Sequence, residues 1–167
     1  GLNFDIGSNL ATISRFETSH TDIFRTLSFT WNAGHSDAIV AITNGAAFGG
    51  GFELALSADF IYASNTARFA LPEAKLGIMP GAMGTQHLPA AAGLRRAKEL
   101  VLTGQAITAQ QAHDWQIINA IFPPEALLEQ AQKTAQLIAM NAPLSVSHAK
   151  AAMNHAGQRE LESGYGE

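Results

Sequence analysis

The chain has 167 residues, 47% hydrophobic and 14% charged, with a formal net charge of −4; that suits one domain able to bury a core rather than a disordered tail. The acidic balance argues against a general nucleic-acid binder, which would neutralise phosphates with clustered Lys and Arg, and the one tight basic pair, Arg95-Arg96, reads as a solvated helix face. With no cysteine there is no disulfide, thiolate zinc site or Cys nucleophile, and with no bilayer-length apolar run and no signal-peptide start the expectation is a soluble cytoplasmic protein.

The sequence opens Gly1-Leu2-Asn3 without Met and closes on Ser163-Gly164-Tyr165-Gly166-Glu167, so both ends read as cuts through a longer chain. Residues 1–36 are mixed and polar; Ile23, Leu27 and Thr30-Trp31 fall near one face of a predicted helix over Asp22–Ala33. Ala38 to Thr43 is an apolar, β-branched run bounded by Asp37 and Asn44-Gly45, the pattern of a buried strand. Gly49-Gly50-Gly51 follow, then Phe52 to Leu56 as a short helix. Asp59–Ala63 and Ala67–Ala70 are predicted strands, and Pro72 and Pro80 punctuate a loop-rich stretch.

From Gly84 the pattern turns helical. Leu94–Leu102 is a predicted helix closed by Gly104. Thr108 with Gln111 fits a capping box, and Pro124 suits the first position of a longer helix. That helix has an apolar face of Leu127, Leu128, Ala131, Ala135 and Ile138, with Glu129 and Lys133 paired four apart outside. A last helix spans about Leu144–His155. Strands with short helices come first and helices later, without internal repeat or low-complexity linker, so the fold class is α/β: one domain with a helical C-terminal portion.

A buried strand feeding glycines that feed a helix can bind negative charge. The first helical N–H groups have no intrahelical acceptor, the dipole is positive there, and glycine lets backbone approach a ligand. Such a turn serves a phosphate, serves an oxyanion formed in a reaction, or merely packs tightly. A dinucleotide fingerprint starting at Gly49 and Gly51 needs a small residue where Leu54 stands. Its acidic partner, about 20 residues on, should close a strand, whereas Glu73 follows Pro72 in a loop. A Walker A loop fails for want of Gly-Lys-Ser/Thr. Glu53 sits one turn into a helix otherwise made of Phe, Leu and Ala, so it is either exposed on a single face or buried for a purpose.

The run Asn44-Gly45-Ala46-Ala47-Phe48-Gly49-Gly50-Gly51-Phe52-Glu53-Leu54-Ala55 resembles the signature of the crotonase superfamily, the enoyl-CoA hydratase/isomerase family. The likeness continues through Ala58-Asp59, Ala67-Arg68-Phe69, Leu71-Pro72-Glu73-Ala74-Lys75-Leu76-Gly77-Ile78-Met79-Pro80-Gly81, Gly84-Thr85-Gln86, Leu102-Thr103-Gly104 and Ile118-Asn119, roughly Ile39 to Asn154 without a gap. The resemblance implies a crotonase (ClpP-like) spiral of ββα units over residues 1–107, followed by an incomplete helical portion over 108–167.

It also implies a site. In such enzymes an acyl-CoA thioester carbonyl lies in an oxyanion hole of two backbone N–H groups. Gly50, flanked by Gly49, matches one donor; the other would fall at Leu2, in a remnant loop Gly1–Asp5 where Asn3 stands in place of the usual Asp. The residue at Glu53 activates water, the residue at Glu73 delivers a proton to Cα, and Gly81 offers an N–H to the water. Coenzyme A is part of the substrate, so neither a cofactor nor a metal is expected. Partners implied are the acyl-CoA and further copies in a homotrimer or dimer of trimers, with no nucleic acid and no membrane.

Keeping both glutamates favours a hydratase. Met83 stands where the family usually has Gly, and could narrow the pocket toward short acyl groups; Phe48 and Phe52 also resemble carnitinyl-CoA dehydratases. That dehydratase chemistry and enoyl-CoA isomerisation are alternatives within the family, and a non-catalytic acyl-CoA-binding or oligomerisation fragment is the alternative outside it. The six histidines, His20, His35, His87, His113, His148 and His155, show no ligand spacing, and no G-x-S-x-G elbow is present. Trp31 and Trp115 read as core or interface residues, Met140 and Met153 as core.

Overall fold

The computed structural model describes residues 38–157 in full, and the strands 2–6, 9–15 and 26–32 and helix residues 158–163 by their backbone. Two sheets organise it. The larger has the order β1-β2-β3-β4-β6-β9, built from β1 (Leu2–Ile6), β2 (Asn9–Arg15), β3 (Thr26–Asn32), β4 (Ile39–Thr43), β6 (Phe60–Ser64) and β9 (Ala120–Phe122). The smaller has the order β5-β7-β8, from β5 (Ala46–Phe48), β7 (Arg68–Ala70) and β8 (Ile107–Thr108).

Each of two successive chain segments supplies one strand to each sheet and then a helix. β4 and β5 lead into α1 (Gly50–Leu56); β6 and β7 lead, through a 3-10 turn at Pro72–Leu76, into α2 (Gly84–Ala92) and α3 (Leu94–Thr103). β4 runs parallel to β6 and β5 parallel to β7, so the second unit stacks on the first in the same sense. That repeat is the ββα spiral. α4 (Ala109–Asp114), α5 (Pro124–Ala139) and α6 (Pro143–Ser163) complete the chain.

β4 reads as a continuous apolar run because both its faces are covered. Val40 and Ile42 meet Leu127 and Ala131 of α5. Ala41 points the other way, into the main core of Phe52, Phe69, Leu71, Leu88 and Leu100. Phe52 of α1 and Phe69 of β7 lie with ring centroids 5.1 Å apart, which ties the helix carrying Glu53 to the second sheet. Local signals hold well in the C-terminal part. Gly104 caps α3 in the left-handed conformation, Thr108 and Gln111 form a full capping box on α4, and Glu129 pairs with Lys133 at 2.8 Å.

Four expectations are corrected. The predicted helix over Asp22–Ala33 is replaced at Thr26–Asn32 by β3, antiparallel to β2 and β4; its residues 22–25 and 33 lie outside the described residues. Leu27, Phe29 and Trp31 alternate with Thr26, Ser28, Thr30 and Asn32, a period of two rich in strand-forming residues, and that pattern outweighs the weaker helical one. The stretch expected to be purely helical also carries β8 and β9. Leu128 is exposed, one step off the buried Leu127–Ala131 stripe of α5. Met140, which ends α5, and Met153 of α6 are 74% and 67% exposed rather than core. Trp115 is partly buried against the main core, with the Arg96 guanidinium 5.7 Å from its ring centre.

Candidate active site

The site grows from the end of β5. Gly49 adopts φ 55 and ψ −130, torsions open to glycine and costly for residues with Cβ. Its N–H donates to the Ala70 carbonyl at 2.9 Å, pinning the end of β5 to the end of β7. Its own carbonyl accepts from Phe52 at 2.9 Å and Glu53 at 3.0 Å, and α1 starts there. Space adds to torsion: a Cβ on Gly49 would lie 3.0 Å from Glu73 Oε1, which would have to give way. Gly50 is the first residue of α1, where an N–H has no intrahelical acceptor. It is exposed, and a Cβ built on it meets nothing within 4 Å, so the space beside its Cα is open.

Glu53 is 4% exposed and Glu73 8%, the two acidic side chains that are buried among the described residues. An ionised group so buried demands compensation. For Glu53 it comes from the loop before α2: the N–H groups of Ala82 and Gly84 both donate to Oε1, each at 2.8 Å. Gly84 opens α2, so that helix also sets the positive end of its dipole against the carboxylate. A Cβ on Gly84 would stand 2.8 Å from Oε1, which makes glycine there a steric requirement. Glu73 sits in the first turn of Pro72–Leu76, its Oε1 against Gly49; its Oε2 is buried and accepts no hydrogen bond among the described residues. A buried carboxyl oxygen left in that state is a place for a ligand or proton partner.

Of the six residues singled out from sequence, Gly49, Gly50 and Glu53 thus lie in one turn at the start of α1, and Glu73, from the Pro72–Leu76 turn, packs its Oε1 against Gly49. Gly81 lies in the exposed loop just before the two donors to Glu53. Leu2 begins β1, paired with Ile13 of β2, and its side chain is outside the described residues. Three strand spacings, roughly 14 Å, separate β1 from β4.

Two buried carboxyl groups at a glycine turn that opens a helix can move protons at a group whose developing charge the first helical N–H receives. The profile of the enoyl-CoA hydratase/isomerase family matches residues 11–165. The chain belongs to the enoyl-CoA hydratase/isomerase family. A relative from Salmonella arizonae named carnitinyl-CoA dehydratase is 42% identical over 127 residues, 76% of this chain and 49% of the relative. The crystal structure of an enoyl-CoA hydratase subunit from Geobacillus kaustophilus is 44% identical and superposes with a TM-score of 0.68, over 72% of this chain and 47% of that one. An enoyl-CoA hydratase from Bacillus anthracis is 41% identical, with a TM-score of 0.65 over 72% and 50%. The chain spans about half the length of the relatives it matches.

For this enoyl-CoA hydratase/isomerase family chain, sequence reasoning missed the two N–H donors that hold Glu53. Backbone donors leave no side-chain mark; the only signal was the Pro80-Gly81-Ala82-Met83-Gly84 loop, whose glycines announce close backbone approach without saying to what.

Proposed function

We propose that the chain carries the acid–base centre that adds water to a 2-enoyl-CoA thioester, giving a 3-hydroxyacyl-CoA. The observation that carries this reading is the pair of buried carboxyl groups at the Gly49-Gly50 turn, Glu53 in the first turn of the helix it opens and anchored through a single oxygen, Glu73 packed on Gly49 with a free, buried oxygen. With Oε1 of Glu53 occupied by Ala82 and Gly84, Oε2 is the oxygen left to take a proton from water.

The water oxygen bonds to Cβ as Glu53 takes its proton. The Cα=Cβ electron pair moves toward the thioester, and the carbonyl oxygen becomes an enolate oxygen. The Gly50 N–H donates to that oxygen; one such donor is typically worth ~3–4 kcal/mol in the transition state. Glu73, which enters the step protonated, then supplies its proton to Cα and the carbonyl re-forms; the proton taken by Glu53 returns to Glu73 through solvent when the product leaves. The Gly81 N–H orients the water. Coenzyme A enters as part of the substrate, and the balance of atoms needs no cofactor.

A second reading is supported by the relatives named carnitinyl-CoA dehydratase at 41–42% identity. It is the same carbon chemistry run toward elimination on a different acyl group. For the complete protein we propose a homotrimer or dimer of trimers in the cytoplasm; among the described residues no helix is long and apolar enough to cross a membrane.

The test follows loss of enoyl-thioester absorbance with the full-length protein. Turnover of crotonyl-CoA is expected. Preference for crotonobetainyl-CoA selects the dehydratase reading, migration of the double bond without hydration selects isomerisation, and CoA-thioester binding without turnover selects a binding or oligomerisation fragment.

A further inference from the structure

Met83 has a left-handed backbone, φ 75 and ψ 7, which a residue with Cβ rarely adopts. Its side chain does not hold it there, being 53% exposed. Starting a helix does not require it either: Thr108 starts α4 from an extended conformation, φ −78 and ψ 164. What the turn accomplishes lies on both sides of it. Ala82 and Gly84 are two residues apart, and in an extended segment their N–H groups would stand roughly 7 Å from each other. Here both reach the same oxygen, Glu53 Oε1, at 2.8 Å. A left-handed residue between two N–H groups folds them into a concave nest that receives one anionic atom. The carbonyl of Met83 then accepts from Gln86 at 3.0 Å and His87 at 2.9 Å, so the same turn launches α2.

We propose that Met83 is a positioning residue. Its strained turn aims two N–H donors at one oxygen of Glu53 and thereby fixes where the other oxygen meets the water. This rests on Glu53 acting as the base. Met83 exerts the effect through backbone torsion, so any residue at ease with positive φ should serve, whatever its side chain offers a substrate.

The experiment measures kcat and KM for crotonyl-CoA hydration by the full-length protein and its Met83→Gly, Met83→Asn, Met83→Ile and Glu53→Gln variants, with a thermal melt of each. Glycine and asparagine accept the left-handed region and should sustain turnover within about threefold of the parent. Isoleucine, branched at Cβ, is the residue type least tolerated there; it should lower kcat on the order of 100-fold, the usual effect of displacing a catalytic group by about 1 Å, with KM within about threefold. The inference is overturned if Met83→Ile keeps parental kcat, or if Met83→Gly and Met83→Asn lose as much as Met83→Ile. If Met83→Ile does not fold, Met83→Thr repeats the test with a smaller branched residue; if neither folds while glycine and asparagine do, the turn serves folding alone and the inference also fails. Parental turnover in Glu53→Gln refutes the hydration reading itself, whereas its loss with Met83→Ile unaffected refutes only the positioning role.

Discussion

Gly49 and Gly84 each stand where a side-chain carbon would press on one of the two buried carboxylates. A methyl group at Gly84 would lie 2.8 Å from Glu53 Oε1 and 3.0 Å from its Cγ, so Glu53 must move. Gly84→Ala is therefore expected to cost about 1–3 kcal/mol, as overpacking does, and to lower turnover on the order of 100-fold; a melt and a rate measurement check both. Gly50→Ala is the contrast. Its added carbon meets nothing within 4 Å, and its φ is not positive, so its melting temperature should stay near the parent's. The triplet was visible in the sequence as three identical letters. That one glycine answers to torsion and crowding, the next is exposed with open space beside its Cα, and the third is buried was not visible. Those differences come from Glu73, 24 residues beyond Gly49, and from the course of α1. Glu53 and Glu73 stood out as candidates through resemblance; their burial explains why no ordinary surface role fits them.

At the scale of elements, what is decided locally was legible. The Thr108 capping box, Gly104 at the end of α3 and Pro124 at the start of α5 depend on neighbours within one turn, and all are present. Thr108→Ala should destabilise by about 1 kcal/mol in chemical denaturation. The Glu129–Lys133 pair is local too. Lys133, by hydrogen bond and charge, holds the Glu129 carboxyl below its usual range. Its support for α5 is therefore complete above the ordinary carboxylate value and fades as pH falls through the lowered one. In a pH series of melts, Lys133→Ala should abolish that small dependence. What is decided at long range was not legible. β3 pairs with strands on both sides, and the tertiary pairing selects its alternating pattern over the helical one. Asp59 is another such case. Its Oδ2 accepts from the Ile39 N–H and from Lys150 Nζ, both at 2.7 Å, joining the start of β4 to α6, with Lys150 91 residues beyond Asp59. Asp59→Ala should cost about 1–3 kcal/mol by removing the acceptor of both, and Lys150→Met no more than about 1 kcal/mol, since that pair is partly in water.

Across the whole molecule, two ββα units stacked in parallel bring β5, α1 and the Pro72–Leu76 turn to one place, and both glutamates follow from that stacking. Family membership places the chain among proteins about twice its length. Leu137, Met140, Leu144 and Met153 are large, apolar and exposed around the end of α5 and along α6, a surface of the kind that marks association. In the full-length protein, Leu144→Glu is expected to shift sedimentation toward smaller species with the melt of the domain unchanged; unchanged sedimentation would remove this face from the proposed assembly.

The central claim is that Glu53 and Glu73 together move the protons of water addition. Its most direct measurement is kcat for crotonyl-CoA hydration by the full-length protein, by Glu53→Gln, by Glu73→Gln and by the double variant, with thioester binding followed in parallel. Each single variant should lose about 10²- to 10⁴-fold in kcat, the usual contribution of a positioned acid or base. The double variant should fall little further, because the two act as a unit, and binding should persist. Parental rates in both single variants would contradict the account.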